Sequence, residues 1–259
     1  MKAIDPNLAS EDRGRRLSDR DTFRFGCHAA LNCFNRCCRN LNLFLYPYDV
    51  VRLKRSLGLS SDQFLDRHVD LVMREGNHFP DVLLRMADNE EKTCPFLSDG
   101  GCRVYLDRPD TCRNFPVEHG LYFRENAPPQ EVHFFRPPDF CLGQHEASEW
   151  TVGTWEADQA AKRHGEMTRR WSEIKRLFDR NPWGAEGPYG PKGKMAFMAA
   201  YNVDRFREFI YHSSFLKRFR VPRKVLDKAR KGDTTLMLLG FEWIRIFVFG
   251  IASSQIRPR

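Results

Sequence analysis

Eight cysteines, Cys27, Cys33, Cys37, Cys38, Cys94, Cys102, Cys112 and Cys141, lie in the first 141 of 259 residues, and none follows. Thiolates are soft ligands, and two adjacent ones such as Cys37 and Cys38 pack poorly as small hydrophobes yet supply two donors from one short segment. The first group reads C-x5-C-x3-C-C, and a helical turn over Cys33–Cys37 would bring those two sulfurs to one face. The second reads CPFLSDGGCRVYLDRPDTCRNFP, a turn followed by a short helix, and Cys141 stands alone in FCLG. Cys94, Cys102 and Cys112 are too few to close a four-ligand site, so folding must join cysteines distant in sequence.

A disulfide framework is the competing use of many cysteines, but disulfide-dense domains are small and secreted and begin with an apolar signal. The first 22 residues, MKAIDPNLASEDRGRRLSDRDT, are polar and rich in both charge signs, which predicts a flexible lead-in and a cytoplasmic protein whose thiols bind metal. Structural zinc sites favour paired C-x2–4-C knuckles, approached only by Cys33 and Cys37, whereas iron–sulfur clusters accept thiolates from scattered segments. An iron–sulfur cluster is therefore favoured over zinc. A radical-SAM pattern, C-x3-C-x2-C, would require cysteine at position 40, which is Asn40. His28, His119, His133 and His145 lie near the cysteine groups and could replace a thiolate, although hydrogen-bonded surface histidine is the commoner role.

The elements that must position these residues divide the chain into a polar lead-in (1–22), a metal-binding domain (23–145) and a helical region (146–259). Leu43, Phe44 and Leu45 form an extended entry to a helix with Pro47 in its first turn, continued by Val50, Leu53 and Leu57 and stopped at Gly58. Ser60 and Gln63 make a capping box for a second helix carrying Phe64, Leu65 and Val69. Residues 82–86 and 131–135 are expected strands on either side of the turn Ser98-Asp99-Gly100-Gly101. Beyond Cys141, Met167, Trp171, Ile174, Leu177 and Phe178 make an apolar helical stripe. The Gly- and Pro-rich run 181–193 reads as a loop, followed by helices over 195–201, 203–211 and 234–250, the last capped by Asp233. The fold class is mainly α, with a small irregular α+β metal-binding portion.

The residues also resemble a known family. Cys37-Cys38 matches the tandem end of the first cysteine set in the YkgJ-type cysteine-cluster family of zinc- or iron-chelating proteins. Cys102, Val104, Tyr105, Arg108, Pro109, Cys112, Arg113 and Phe115 match its Cys-x-[Ile/Val]-Tyr-x2-Arg-Pro-x2-Cys-Arg-x-[aromatic] signature, and Cys94 and Cys141 match the flanking cysteines. Members often space the first cysteines as C-x2-C-x2-C-C, whereas gaps of five and three stand here. The resemblance covers about residues 23 to 145 and implies metal binding by all eight cysteines.

Flagellin lysine-N-methylases carry a similar cluster, which makes a protein lysine methylase the enzymatic alternative, but no glycine-rich nucleotide loop follows a strand. A zinc-containing nucleic-acid binder would use the formal charge of +8 and the run FLKRFRVPRK at 215–224. No recognised nucleic-acid motif accompanies them, and nucleic acid is not expected as a partner. The charge also counts cysteine as neutral, and Arg36, Arg39, Arg103, Arg108 and Arg113 stand beside the cysteines, where they would screen thiolates. The segment 236–251 is too short and too charged for a transmembrane span. The helical half is left as scaffold or as a surface for a protein partner.

Overall fold

The computed structural model describes residues 2–4, 14–124 and 127–259. Two compact units share the chain: residues 1–43 with 86–172, and residues 44–85 with 173–259. The segment between the two cysteine groups thus joins the C-terminal helices instead of the cysteine-bearing unit. Mostly helical elements and small scattered sheets give the mainly α fold with a minor α+β part.

Along the chain, β1 (Lys2–Ile4), β2 (Arg15–Leu17) and β3 (Thr22–Arg24) open the first unit. The helices α1 (Pro47–Ser56) and α2 (Ser61–His68) and the hairpin of β4 (Val69–Val72) with β5 (Asp81–Leu84) belong to the second. Back in the first unit come β6 (Leu97–Ser98), β7 (Gly101–Cys102), α3 (Asp110–Asn114), β8 (Val117–Tyr122), β9 (Gln130–Phe135), β10 (Glu149–Thr151) and α4 (Val152–Asp158). The division falls within α5 (Lys162–Leu177). The second unit then continues with α6 (Pro191–Tyr201), α7 (Val203–His212), α8 (Phe215–Arg218), β11 (Phe219–Arg220), α9 (Arg223–Lys231), α10 (Asp233–Phe249) and β12 (Arg257–Pro258).

In the first unit the main sheet runs β1-β8-β9-β2, with β1 parallel to β8 and the other pairs antiparallel. Residues 15–17 are therefore a strand and not a flexible lead-in. Their one apolar side chain, Leu17, is buried, too short a signal for period-2 reading. Leu17, Phe23, Phe25, Val117, Cys141, Val152 and Trp155 form one core, in which Trp155 meets Phe23 and Phe25 edge-on at 6.1 and 5.5 Å. The Trp155 indole donates to the Asn114 carbonyl at 3.0 Å, which ties α4 to the end of α3.

In the second unit Pro47 starts α1, Asp49 receives the Tyr46 amide at 2.9 Å, and Ser60 and Gln63 form the reciprocal cap of α2. The helix α6 begins four residues before the predicted Met195, because Pro191 supplies the first turn and Gly193 sits against the Pro188 backbone. Asp233 is the first residue of α10 and not its cap. Its carboxylate instead receives Lys54 at 2.9 Å and Arg207, while Asp204 receives the same two cations at 2.9 and 3.0 Å and the Ser61 amide at 2.7 Å. Two cations and two anions thus join α1, α2, α7 and α10. Phe241 and Ile244 of α10 are buried, whereas Leu238 and Phe249 are only half-buried. Among the described residues no helix is long and apolar enough to cross a membrane.

Gly240 lets α10 touch α6: a Cβ there would lie 2.0 Å from the Ala199 carbonyl oxygen. Gly240→Ala should therefore separate the helices and cost about 2 kcal/mol or more in chemical denaturation, against the gain that Ala normally brings to a helix interior. Burial works against the Asp204 charge, but bonds from Lys54 and Ser61 prevail and hold its pKa at about 2, below the ordinary 3.8. Its contribution is then complete above about pH 4 and is lost as pH falls toward 2. Asp204→Asn should be less stable than the parent by about 2 kcal/mol at pH 7, and this gap should narrow steadily in denaturation curves taken between pH 4 and pH 2.

Candidate metal centre

All eight cysteines fall in the first unit, and all are free thiols. Three stretches of chain bring them together. Cys27, Cys33, Cys37 and Cys38 come from the loop after β3. That loop is not an α-helix: Asn35 turns left-handed at φ 62°, and a 3-10 turn follows over Arg36–Cys38, so Cys33 and Cys37 do not stack on one helical face. Cys94 and Cys102 flank the β6–β7 hairpin, Cys112 lies in α3, and Cys141 precedes a 3-10 turn.

Backbone contacts define two neighbourhoods. In the first, the Leu142 amide donates to the Cys33 sulfur at 3.2 Å, and the Gly26 amide donates to the Gly143 carbonyl at 3.0 Å. The two strands of chain approach so closely that a Cβ on Gly143 would lie 2.4 Å from the Gly26 carbonyl, which sets Cys27 and Cys33 beside Cys141. In the second, the Cys94 amide donates to the Cys38 carbonyl at 2.8 Å, next to an isolated bridge between Arg39 and Thr93. Cys102 pairs with Leu97 across the hairpin.

The electrostatics connect the two neighbourhoods. Burial pushes the Cys27 thiol up to about 11, reinforced by Cys37, Cys141 and Cys33. Burial raises Cys141 too, with further contributions from Cys33 and Cys37. Cys38 gives its proton to a hydrogen bond with Cys37, which raises Cys38; burial, Cys37, Cys112 and Cys94 raise it further. That same bond draws Cys37 down to about 7 despite its burial. Burial raises Cys94, as does Cys102, and burial raises Cys102, as does Cys37. Every one of the eight sulfurs is thereby coupled to at least one other, with Cys37 influencing Cys27, Cys141, Cys38 and Cys102.

Opposing this mutual repulsion are backbone amides turned onto the sulfurs. Phe96 and Leu97 donate to Cys94, Val104 to Cys102, and Gly143 and Gln144 to Cys141, each lowering the thiol it faces. Such N–H···S bonds favour thiolate over thiol and fix the direction of the lone pairs. Arg39 lowers Cys37, Arg103 lowers Cys94 and Cys102, and Arg108 lowers Cys102. The other expected cations have different tasks. Arg36 lies over the Phe140 ring at 4.8 Å. Arg113 is buried and donates at 2.6 and 2.7 Å to the carbonyls of Gln159 and Leu106. Arg108, also buried, donates at 2.6 Å to the Tyr105 carbonyl and at 2.6 Å to the Gln159 side chain, with its guanidinium 3.9 Å from the Tyr105 ring centre. The two arginines therefore pin the 102–113 loop to the end of α4, a role their spacing from cysteine did not reveal.

No histidine that might replace a thiolate is seen joining the sulfurs. His28 pairs with Glu146 at 3.3 Å, His145 is exposed, and His119 and His133 lie against each other on the sheet. Among the described residues, the one trio of ligating side chains within 4.8 Å of one another is His119, His133 and Glu156, so no three thiols are drawn that closely together.

Neither the curated proteins nor the solved structures contain a match to this chain. A family model does match. Residues 26–142, which hold all eight cysteines and carry the Arg108–Arg113 signature, are similar to the CxxCxxCC family, described as "Putative zinc- or iron-chelating domain".

Proposed function

We propose that the first unit holds iron as iron–sulfur centres through all eight cysteines, in a reducing, cytoplasmic setting. Cys27, Cys33, Cys37 and Cys141 would serve one centre and Cys38, Cys94, Cys102 and Cys112 the other. The observation that carries this reading is the gathering of eight free sulfurs from three stretches of chain into one unit, with backbone amides aimed at several of them.

The spacing supports a cluster over a single ion. Four thiolates at about 2.3 Å from one zinc stand about 3.8 Å apart, whereas iron and sulfide interposed between the ligands keep them farther from one another. The absence of three sulfurs within 4.8 Å, among the described residues, favours the wider arrangement. When bound, such a centre would supply one-electron chemistry, tuned by the N–H···S bonds and by Arg39, Arg103 and Arg108. The second unit would then be the scaffold or the surface for a protein partner.

Full-length protein purified without oxygen should be brown and contain iron and acid-labile sulfide. Cys112→Ser and Cys141→Ser should each remove about half of the iron and lower the melting temperature, because metal binding is part of the folding free energy at such sites. Unchanged metal content and melting in both variants would refute chelation by these residues. Loss of all metal in either one would join the two sets into a single centre, and colourless protein with stoichiometric zinc under iron-replete, oxygen-free conditions would replace iron by a structural zinc role.

One variant should also separate the structural role of Arg113 from the tuning of the sulfurs. Arg113→Lys cannot span the Gln159 and Leu106 carbonyls, so it should lower stability by about 1–3 kcal/mol in chemical denaturation. The visible spectrum of loaded protein should change little.

A further inference from the structure

We propose that His119, His133 and Glu156 form a site for one divalent transition-metal ion of the zinc or ferrous class, separate from the cysteine centre. In the antiparallel register of β8 and β9, His119 stands directly opposite His133, which places both imidazoles on one face of the sheet. That face also carries Val117, which packs with Val152 and Trp155 of α4, and Glu156 is the next residue of that helix. The imidazole rings meet at 4.5 Å and 80°, the His119 Nδ1 is 3.7 Å from the Glu156 Oε1, and one ligating atom from each of the three lies within 4.8 Å of the others.

The histidine side of the site is buried. The His119 side chain is 5% exposed, and among the described residues the buried Nε2 atoms of His119 and His133 have no hydrogen-bond partner. A simple His–Glu ion pair does not account for it. Burial pushes both imidazoles toward the neutral form, His133 further opposes a charge on His119, and burial raises Glu156. An imidazole nitrogen acting as an acceptor repels a nearby carboxylate unless a shared proton or cation lies between them. Nearby Glu131 and Asp110 deepen the negative potential at Glu156, only partly offset by Lys162. Two imidazole nitrogens and one carboxylate oxygen suit zinc and ferrous iron and would leave a coordination position for water. Glu156 keeps 31% side-chain exposure, enough freedom to swing the last ångström toward an ion.

The test uses the full-length chain, with its cysteine centre loaded and followed by thiolate-to-metal absorption, titrated with Zn2+ in a calorimeter. One further equivalent per chain is expected, with the absorption unchanged. Glu156→Gln and His133→Gln, whose side chains are less buried than His119, should weaken that equivalent at least about tenfold. In the parent chain, zinc should shift the ring nitrogen resonances of both His119 and His133, a reading that needs no variant to fold. The proposal is overturned if no further equivalent binds, if the uptake alters the thiolate absorption, if both variants retain full affinity, or if either ring is unmoved.

Discussion

Eight thiols gathered in one unit repel one another as soon as they ionise, and the cysteine-bearing unit is arranged around that constraint. The sulfurs are half-buried to buried, save the more exposed Cys27, and burial heads the causes that raise Cys27, Cys94, Cys102 and Cys141. Without compensation such a site would stay protonated and bind nothing. Compensation comes from peptide amides two or three residues beyond a cysteine, which require tight turns after Cys94, Cys102 and Cys141, and from three guanidinium groups at the rim. Turns and arginines are thus consequences of the thiolate requirement, and they account for a unit with so little regular structure around its sulfurs.

The helix α4 links this frame to the sheet. Its end holds Arg108 and Arg113 through Gln159, its Trp155 caps the exit of α3 at Asn114, and its Glu156 faces the two histidines of β8 and β9. Buried arginines donating to carbonyls carry desolvation costs that only several good bonds offset, so the 102–113 loop is held in one position and not merely near it. A shift of α4 would move the Cys102 and Cys112 loop and the His119–Glu156 contact together. The two places where metal chemistry is proposed therefore share one mechanical element.

Much of the second unit was legible because local signals agreed with the fold. Pro47 and the Ser60–Gln63 pair set the starts of α1 and α2, and the apolar runs at 82–86 and 131–135 marked β5 and β9. What escaped depends on partners far along the chain. The strand of Leu17 has a single inward apolar residue and exists only because β9 offers an edge. Asp233, placed as a helix cap by its position, is claimed by Lys54 and Arg207 from α1 and α7. In α9, a basic nine-residue helix, the apolar stripe is only Val225, Leu226 and Ala229, of which Ala229 alone is fully buried, too narrow to stand out among the charged residues around it. Cysteine spacing identified the ligand candidates but not their grouping. The left-handed Asn35 between Cys33 and Cys37 breaks the helical periodicity from which their common face was read.

Charge is where the whole chain and the site meet. A formal +8 would ordinarily point outward, to nucleic acid or an acidic surface, but it treats every cysteine as neutral. Eight thiolates would cancel it, and bound metal would return part of the difference. The positions of the cations bear on which account holds: Arg39, Arg103 and Arg108 act on the sulfurs, Arg113 is spent on carbonyls, and Lys54 and Arg207 are matched by two carboxylates. Lys54 and Arg207 contribute little to a long-range field, since carboxylates match them within a few ångströms, whereas the carbonyls that Arg113 meets carry no charge to match its own. On the proposed reading, Arg39, Arg103 and Arg108 are the cations that answer the charge of an ionised sulfur centre.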